Sequence, residues 1–340
     1  MKKLRVLALM HDYLVPPNHL SGLDLATVEW KTEFDVTSTL TDMGHDLHVL
    51  GVKDDLGVIR KTVEDFKPHI AFNLMEAFHE VGAFDMNVVS YLELLRLPYT
   101  GCNPRGMVLS RDKALSKKLL AYHRIQAPEF AVIHRGRTIR LPHRLRFPVI
   151  VKSLTQEASI GISQASVVED ETRLRDRVQF IHDSVGTDAI LERFIDGREL
   201  YVGVIGNKRL QVFPVWEMQF SKMPESVRRI ATDRVKWSEK YQKRHGIKTS
   251  VAKNLPEDLT EQIQRVAKRV FRTLEMSGYA RMDLRLEPNG RFYVLEANAN
   301  PQLAFGEDFA ESAERAGLQY EDLLQRILNV GLRWQPERAG

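Results

Sequence analysis

The sequence predicts an α/β protein of three units, the last of them α+β, and three observations carry that prediction. Residues 4–101 alternate short apolar runs with helical segments, as a parallel sheet covered by helices requires. At 340 residues the chain exceeds what one hydrophobic core usually organises. Residues 281–301 read as an antiparallel hairpin, which implies a different kind of sheet near the C-terminus.

In the first unit, residues 1–101, buried strands are expected at 4–9, 47–52 and 70–74, and helices at 33–43 and 88–95. Arg5 breaks the first apolar run and His11-Asp12 ends it, so this segment fits a first strand better than a secretory signal. Pro98 and Gly101-Cys102-Asn103-Pro104 mark a boundary. The second unit, residues 102–191, begins with a helix over 112–123 whose expected cap is Ser110, followed by strands at 130–133, 149–152 and 162–168. In the third unit, residues 192–334, Ile263, Val266, Ala267, Val270, Phe271 and Leu274 recur at helical spacing and form a core face. Residues 216–255 show poor periodicity and many Trp, Lys and Arg residues, and are expected to form a long excursion that closes over a site. Residues 335–340 are a tail.

Composition narrows the function classes. Apolar residues at 43% and charged residues at 28% fit a globular protein. The single cysteine, Cys102, excludes an internal disulfide and a cysteine metal cluster, which suits a cytoplasmic setting. No apolar stretch approaches the roughly 20 residues needed to cross a bilayer. The net charge of +4 is spread among acids, and even the basic region 228–248 includes Asp233 and Glu239, so nucleic acid is not the expected partner.

The hairpin carries the most chemistry. If Asn289-Gly290 is the whole loop, Asp283 lies across from Glu296 and Arg281 across from Asn298, all on one face. Opposed residues have Cβ atoms about 5 Å apart, so the two carboxylates can share a hard divalent cation, with the Asn298 carbonyl as a further oxygen donor and Arg281 aimed at the same phosphates. A solvated hairpin with a salt bridge is the plain alternative. A type I turn over Pro288 with Gly290 as a bulge would shift the register by one and turn Glu296 away.

Other residues suit a nucleotide. Lys152 ends a strand beside a small-residue turn containing Ser159, Ile160 and Gly161, where backbone N–H groups can meet a phosphate. Lys113 lies in the first turn of its helix, a place unfavourable for a cation unless an anion is near. Glu192 and Glu199 bracket a loop that can join two units, offering backbone to an adenine edge and a carboxylate to ribose hydroxyls; ordinary surface carboxylates fit the spacing equally well.

Assembled, these residues resemble the ATP-grasp carboxylate–amine ligases, and within them the D-alanine–D-alanine ligases. The likeness spans about residues 72–328. It rests on Phe72-Asn73-Leu74, Leu97-Pro98-Tyr99-Thr100-Gly101, Asp112-Lys113, Val151-Lys152, Ser159-Ile160-Gly161, the Glu192 and Glu199 pair, Arg281-Met282-Asp283 and Leu295-Glu296-Ala297-Asn298. The resemblance implies an ATP-grasp fold with ATP between the second and third units. Lys113 and Lys152 would hold its phosphates under the 158–161 loop. Glu192 with the backbone at Arg193 and Ile195 would hold adenine, Glu199 the ribose and Lys236 the γ-phosphate.

It further implies two Mg²⁺ ions on Asp283, Glu296 and Asn298, with Arg281 steadying the transferred phosphoryl group and the later oxyanion. Glu33 would contact a substrate ammonium. Small-molecule carboxylate and amine substrates and a homodimer are expected on the same ground. Departures gather around the substrate. His11-Asp12-Tyr13 replaces Gly-Gly-x-Ser, Ala158 replaces a serine, and Trp237 stands where tyrosine is common. Ala299-Asn300-Pro301-Gln302 replaces Thr-Ser-Pro-Gly, and Glu307 replaces a serine that binds the second substrate's carboxylate. The substrates are therefore expected to differ from two D-alanines; an authentic D-alanine–D-alanine ligase, or an ATP-binding regulatory or phosphotransferase protein on the same scaffold, are the alternatives.

Overall fold

In the computed structural model, residues 3–17, 19–25, 27–156, 160–225 and 227–336 are described, with Trp237 described for its backbone alone. Strands β1 (Arg5–His11), β2 (Asp46–Val52) and β3 (Ile70–Asn73) form a parallel sheet in the order β2-β1-β3, with Leu7 opposite both His48 and Ala71. Apolar from Val6 to Met10, β1 takes the central place, where both faces are covered. Helices Lys31–Asp42 and Asp85–Leu94 fall where the periodicity placed them, whereas helix Gly57–Phe66 was not expected. Tyr99 adds a bridge to Ala71 at the sheet's edge.

Asn103 caps the helix Pro104–Arg111, accepting from the Gly106 N–H, with proline in its first turn. The next helix, Lys113–Tyr122, is capped by Asp112, whose side chain accepts from the N–H groups of Ala114 and Leu115; Ser110, the expected cap, lies in the last turn of the preceding helix instead. Strands β4 (Phe130–Ile133), β5 (Val149–Ser153), β6 (Val167–Val168) and β7 (Ala189–Arg193) make an antiparallel sheet ordered β4-β7-β5-β6. The strand expected over 162–168 shrinks to β6, because residues 164–166 form a 3₁₀ turn closed by Ser163 and Ser166.

The largest sheet contains β8 (Arg198–Gly206), β9 (Leu210–Val212), β10 (Trp216–Phe220), β11 (Ile247–Val251), β12 (Tyr279–Leu286) and β13 (Phe292–Ala299), ordered β11-β10-β8-β12-β13 with β9 beside β8. Helix Glu257–Thr273 covers it with Ile263, Ala267, Val270 and Phe271. The excursion over 216–255 is more regular than its sequence suggests. It extends the sheet through β10 and β11, joined by helices Asp233–Trp237 and Glu239–His245. Its side chains pack on a small cluster of their own, with Trp216, Met218, Met223, Val235 and Ile247 around Tyr201, and this breaks the periodicity. Ahead of β12, Gly278 has φ +72° and a Cβ there would lie 2.0 Å from the Gly101 carbonyl oxygen, so only glycine permits the approach.

Candidate active site

The hairpin β12–β13 pairs Asp283 with Glu296 and Arg281 with Asn298, as the sequence predicts, but by another route. Its loop has three residues, Pro288-Asn289-Gly290. Glu287 accepts from the Gly290 N–H at 3.0 Å and donates to the Arg291 carbonyl at 2.8 Å, and Gly290 has φ +85°. This is the type I turn with a glycine bulge, and the expected two-residue loop is corrected. Near the turn the register is indeed shifted, with Leu284 opposite Val294. A second bulge at Leu295 restores it, so Glu296 returns to the face of Asp283.

Residues from the helix Lys113–Tyr122, from strands β5, β7, β8, β12 and β13 and from the loops between them converge on one cleft. Among its lining residues are Lys113, Lys152, Ile160, Glu192, Arg193, Ile195, Glu199, Lys236, Asp283 and Glu296. Of the remaining predicted ligands, Gly161 belongs to the loop above the cleft and Ser159 lies outside the described residues. That loop is docked to the excursion. The Gly161 carbonyl accepts from Arg177, Asp233 donates to the Ile162 carbonyl at 3.3 Å, and the Gln164 amide bonds the Arg228 backbone in both directions.

Ion pairs set the electrostatics. Lys152 Nζ stands 3.1 Å from Glu192 Oε2, and Lys117 Nζ 3.2 Å from Glu192 Oε1. Burial alone would raise the Glu192 carboxyl, yet the two lysines hold it below its ordinary range. Lys113 Nζ donates to the Gln156 carbonyl at 2.6 Å and lies 3.9 Å from Glu296 Oε2. Burial is opposed at Glu296 by Lys113, Lys152, Lys236 and Lys117, which together hold its carboxyl down at about 2. Glu199, the expected ribose ligand, accepts from Arg285 at 2.7 Å and from the Tyr201 hydroxyl at 3.1 Å.

Arg281 grips Asp283 through two parallel bonds, Nε to Oδ1 at 2.8 Å and an Nη to Oδ2 at 2.9 Å, and its guanidinium lies 4.6 Å over the Tyr201 ring. Even so, burial raises the Asp283 carboxyl, against the pull of Arg281 and with the help of Glu296. Among the described residues no three Asp, Glu, His or Cys side chains converge as a metal cluster, so the predicted set has two charged donors and the Asn298 amide.

Of the expected substrate residues, Glu33, Gln302 and Glu307 stand apart from this cleft's lining. Glu33 is 3% exposed in the first turn of its helix, and burial, then the charge of Glu76, lifts its carboxyl to about 7. Gln302 donates to the Thr32 hydroxyl at 3.3 Å and Lys31 to the Phe305 carbonyl at 2.6 Å, which ties the loop after β13 to that same turn. Glu307 occupies the N-cap position of the helix Asp308–Arg315 without a side-chain capping bond, and its carboxyl is raised by burial and by Asp308. The side chain of Trp237 lies outside the described residues.

Sequence reasoning missed three contributors. Lys117 follows Lys113 by one helical turn and therefore shares its face, a spacing that could have exposed it. Arg285 follows Asp283 by two on β12, again on the same face. Tyr201 carried no local signal; only the pairing of β8 with β12 sets it opposite Asp283.

Fold and cleft together define an ATP-grasp carboxylate–amine ligase. Residues 119–329 match the family model described as the D-ala D-ala ligase C-terminus, and the chain belongs to the D-alanine–D-alanine ligase family. Relatives include an uncharacterised protein of Sinorhizobium fredii, 30% identical over 88% of this chain and 86% of its own length. A D-alanine–D-alanine ligase of Desulforudis audaxviator is 30% identical over 87% of this chain and 90% of its own. The D-alanine–D-alanine ligase of Bacillus anthracis complexed with ATP superposes with a TM-score of 0.74 at 21% identity, covering 97% of this chain and 98% of that one, a likeness of fold.

Proposed function

We propose that the protein joins a small-molecule carboxylate to an amine at the expense of ATP, through an acyl phosphate, with substrates altered from two D-alanines. The observation that carries this reading is the convergence of Lys113, Lys152, Lys236, Glu192 and Glu199 with Asp283 and Glu296 on one cleft. In this reading residues 102–191 and 192–334 enclose ATP, residues 216–255 cover it and residues 1–101 supply part of the substrate site. We further propose a cytoplasmic protein that pairs as a homodimer, on family likeness; among the described residues no helix is long and apolar enough to cross a membrane.

A carboxylate does not condense with an amine in water because its leaving group would be oxide. Phosphorylation supplies a better one. One oxygen of the substrate carboxylate attacks the γ-phosphorus and ADP departs; the amine then adds to the acyl carbon, loses a proton, and phosphate leaves as the amide forms. Lys113, Lys152 and Lys236 would neutralise the phosphates, and Arg281 would stabilise the transferred group and then the oxyanion. Mg²⁺, when bound, supplies further neutralisation, and Asp283, Glu296 and Asn298 are the residues that would hold it. Their chemistry fits: all offer hard oxygen donors. The Asn298 Nδ2 has no hydrogen-bond partner, so no bond from it fixes the amide away from presenting Oδ1 to a cation. The docked loop and excursion would keep water from the acyl phosphate.

Glu307 argues for altered substrates. A half-buried carboxylate beside Asp308 is a poor host for a second carboxylate and suits an amine or hydroxyl. The test is purified protein with ATP, Mg²⁺ and a pooled panel of D- and L-amino acids and other amines, read by mass spectrometry. New amides with amine-dependent ADP release are expected. ATP binding without either would instead favour a regulatory protein.

A further inference from the structure

Lys117 is among the most deeply buried cations of the chain, 1% exposed, on the helix Lys113–Tyr122 with its ammonium pointing toward the nucleotide cleft without lining it. Its Nζ donates to the Leu295 carbonyl at 2.5 Å and lies 3.2 Å from Glu192 Oε1. Leu295 is the extra residue of the second hairpin bulge and has no partner on β12. A bulge leaves its residue outside the ladder, so the freed carbonyl needs a donor from elsewhere. The neighbouring Val294 N–H is met in the same way, by the Gln126 carbonyl at 2.9 Å.

We infer that Lys117 is a positioning residue that pins the Leu295 bulge and thereby keeps Glu296 on the face of Asp283, while its second contact orients Glu192. The inference rests on the proposed ATP and metal roles of those residues. Because the three-residue turn puts the hairpin one step out of register, Glu296 faces Asp283 only while the bulge persists. One ammonium thus couples the adenine end of the cleft to its phosphate end. Its surroundings agree with a fixed role: burial lowers the Lys117 ammonium despite Glu192, so the fold tolerates this cation at a cost.

The experiment compares Lys117→Met and Lys117→Arg with wild type by amide hydrogen exchange across 279–299 and by Mg²⁺ titration of the binding of a fluorescent ATP analogue. In Lys117→Met, exchange at 294–297 should quicken at least tenfold and half-saturating Mg²⁺ rise at least tenfold. Lys117→Arg, which keeps a donor, should stay within threefold on both. A folded Lys117→Met with wild-type exchange and Mg²⁺ dependence overturns the inference. So does a folded Lys117→Arg in which both readouts move tenfold from wild type, and this comparison with wild type decides the matter if the methionine variant fails to fold. Should wild type bind no nucleotide, the ATP reading falls while the exchange data still test the pin.

Discussion

Replacing Arg281 by alanine removes two charge-assisted hydrogen bonds from Asp283, whose side chain is only 5% exposed. Leaving one member of a buried pair behind costs about 3–5 kcal/mol, and the low end applies because Arg281 keeps 19% of its side-chain exposure. Catalysis should suffer separately. Loss of a donor aimed at a developing oxyanion costs about 3 kcal/mol, a hundredfold or more in kcat. Arg281→Lys separates the two effects, since lysine keeps the charge but cannot form the fork. Much of the stability should return, with turnover still at least tenfold down. Urea unfolding and steady-state ADP release measure the pair. Turnover of Arg281→Ala within threefold of wild type would refute the assigned role.

Three further outcomes are expected. Asp283→Asn should raise the Mg²⁺ concentration for half-maximal turnover, and an unchanged Mg²⁺ dependence would remove Asp283 from the metal site. Glu33 binds its proton more readily folded than unfolded, so stability should fall as pH rises from 4.5 to about 7 and level off above. That interval corresponds to at most about 3 kcal/mol, and Glu33→Gln should abolish its contribution, as urea midpoints at pH 5 and pH 8 would reveal. Gly278→Ala should destabilise by more than about 3 kcal/mol, because the added carbon meets the Gly101 carbonyl at a positive φ; a thermal midpoint within two degrees of wild type would contradict this packing.

The elements most legible in the sequence were those with an undivided environment. Strand β1 is buried on both faces and reads as continuous apolar sequence, and helix Glu257–Thr273 has one wet and one dry face. The excursion was harder, because its apolar side chains serve a local cluster and no single face. In the hairpin, the pairing of Asp283 with Glu296 was predicted from a loop that does not exist. Two one-residue displacements, at Gly290 and Leu295, cancel. Nothing local in Val294-Leu295 announces a bulge, since what allows it is Lys117, 178 positions away. For the same reason the occupation of Glu199 by Arg285 and Tyr201 was invisible: strand pairing assembled it.

The central claim is that a substrate carboxylate becomes an acyl phosphate. It is tested most directly by supplying the carboxylate substrate labelled with ¹⁸O and analysing the inorganic phosphate released with the amide. One labelled oxygen per phosphate is the predicted result, because the bond broken in the second step joins the acyl carbon to that oxygen. Unlabelled phosphate accompanying amide formation would contradict the account.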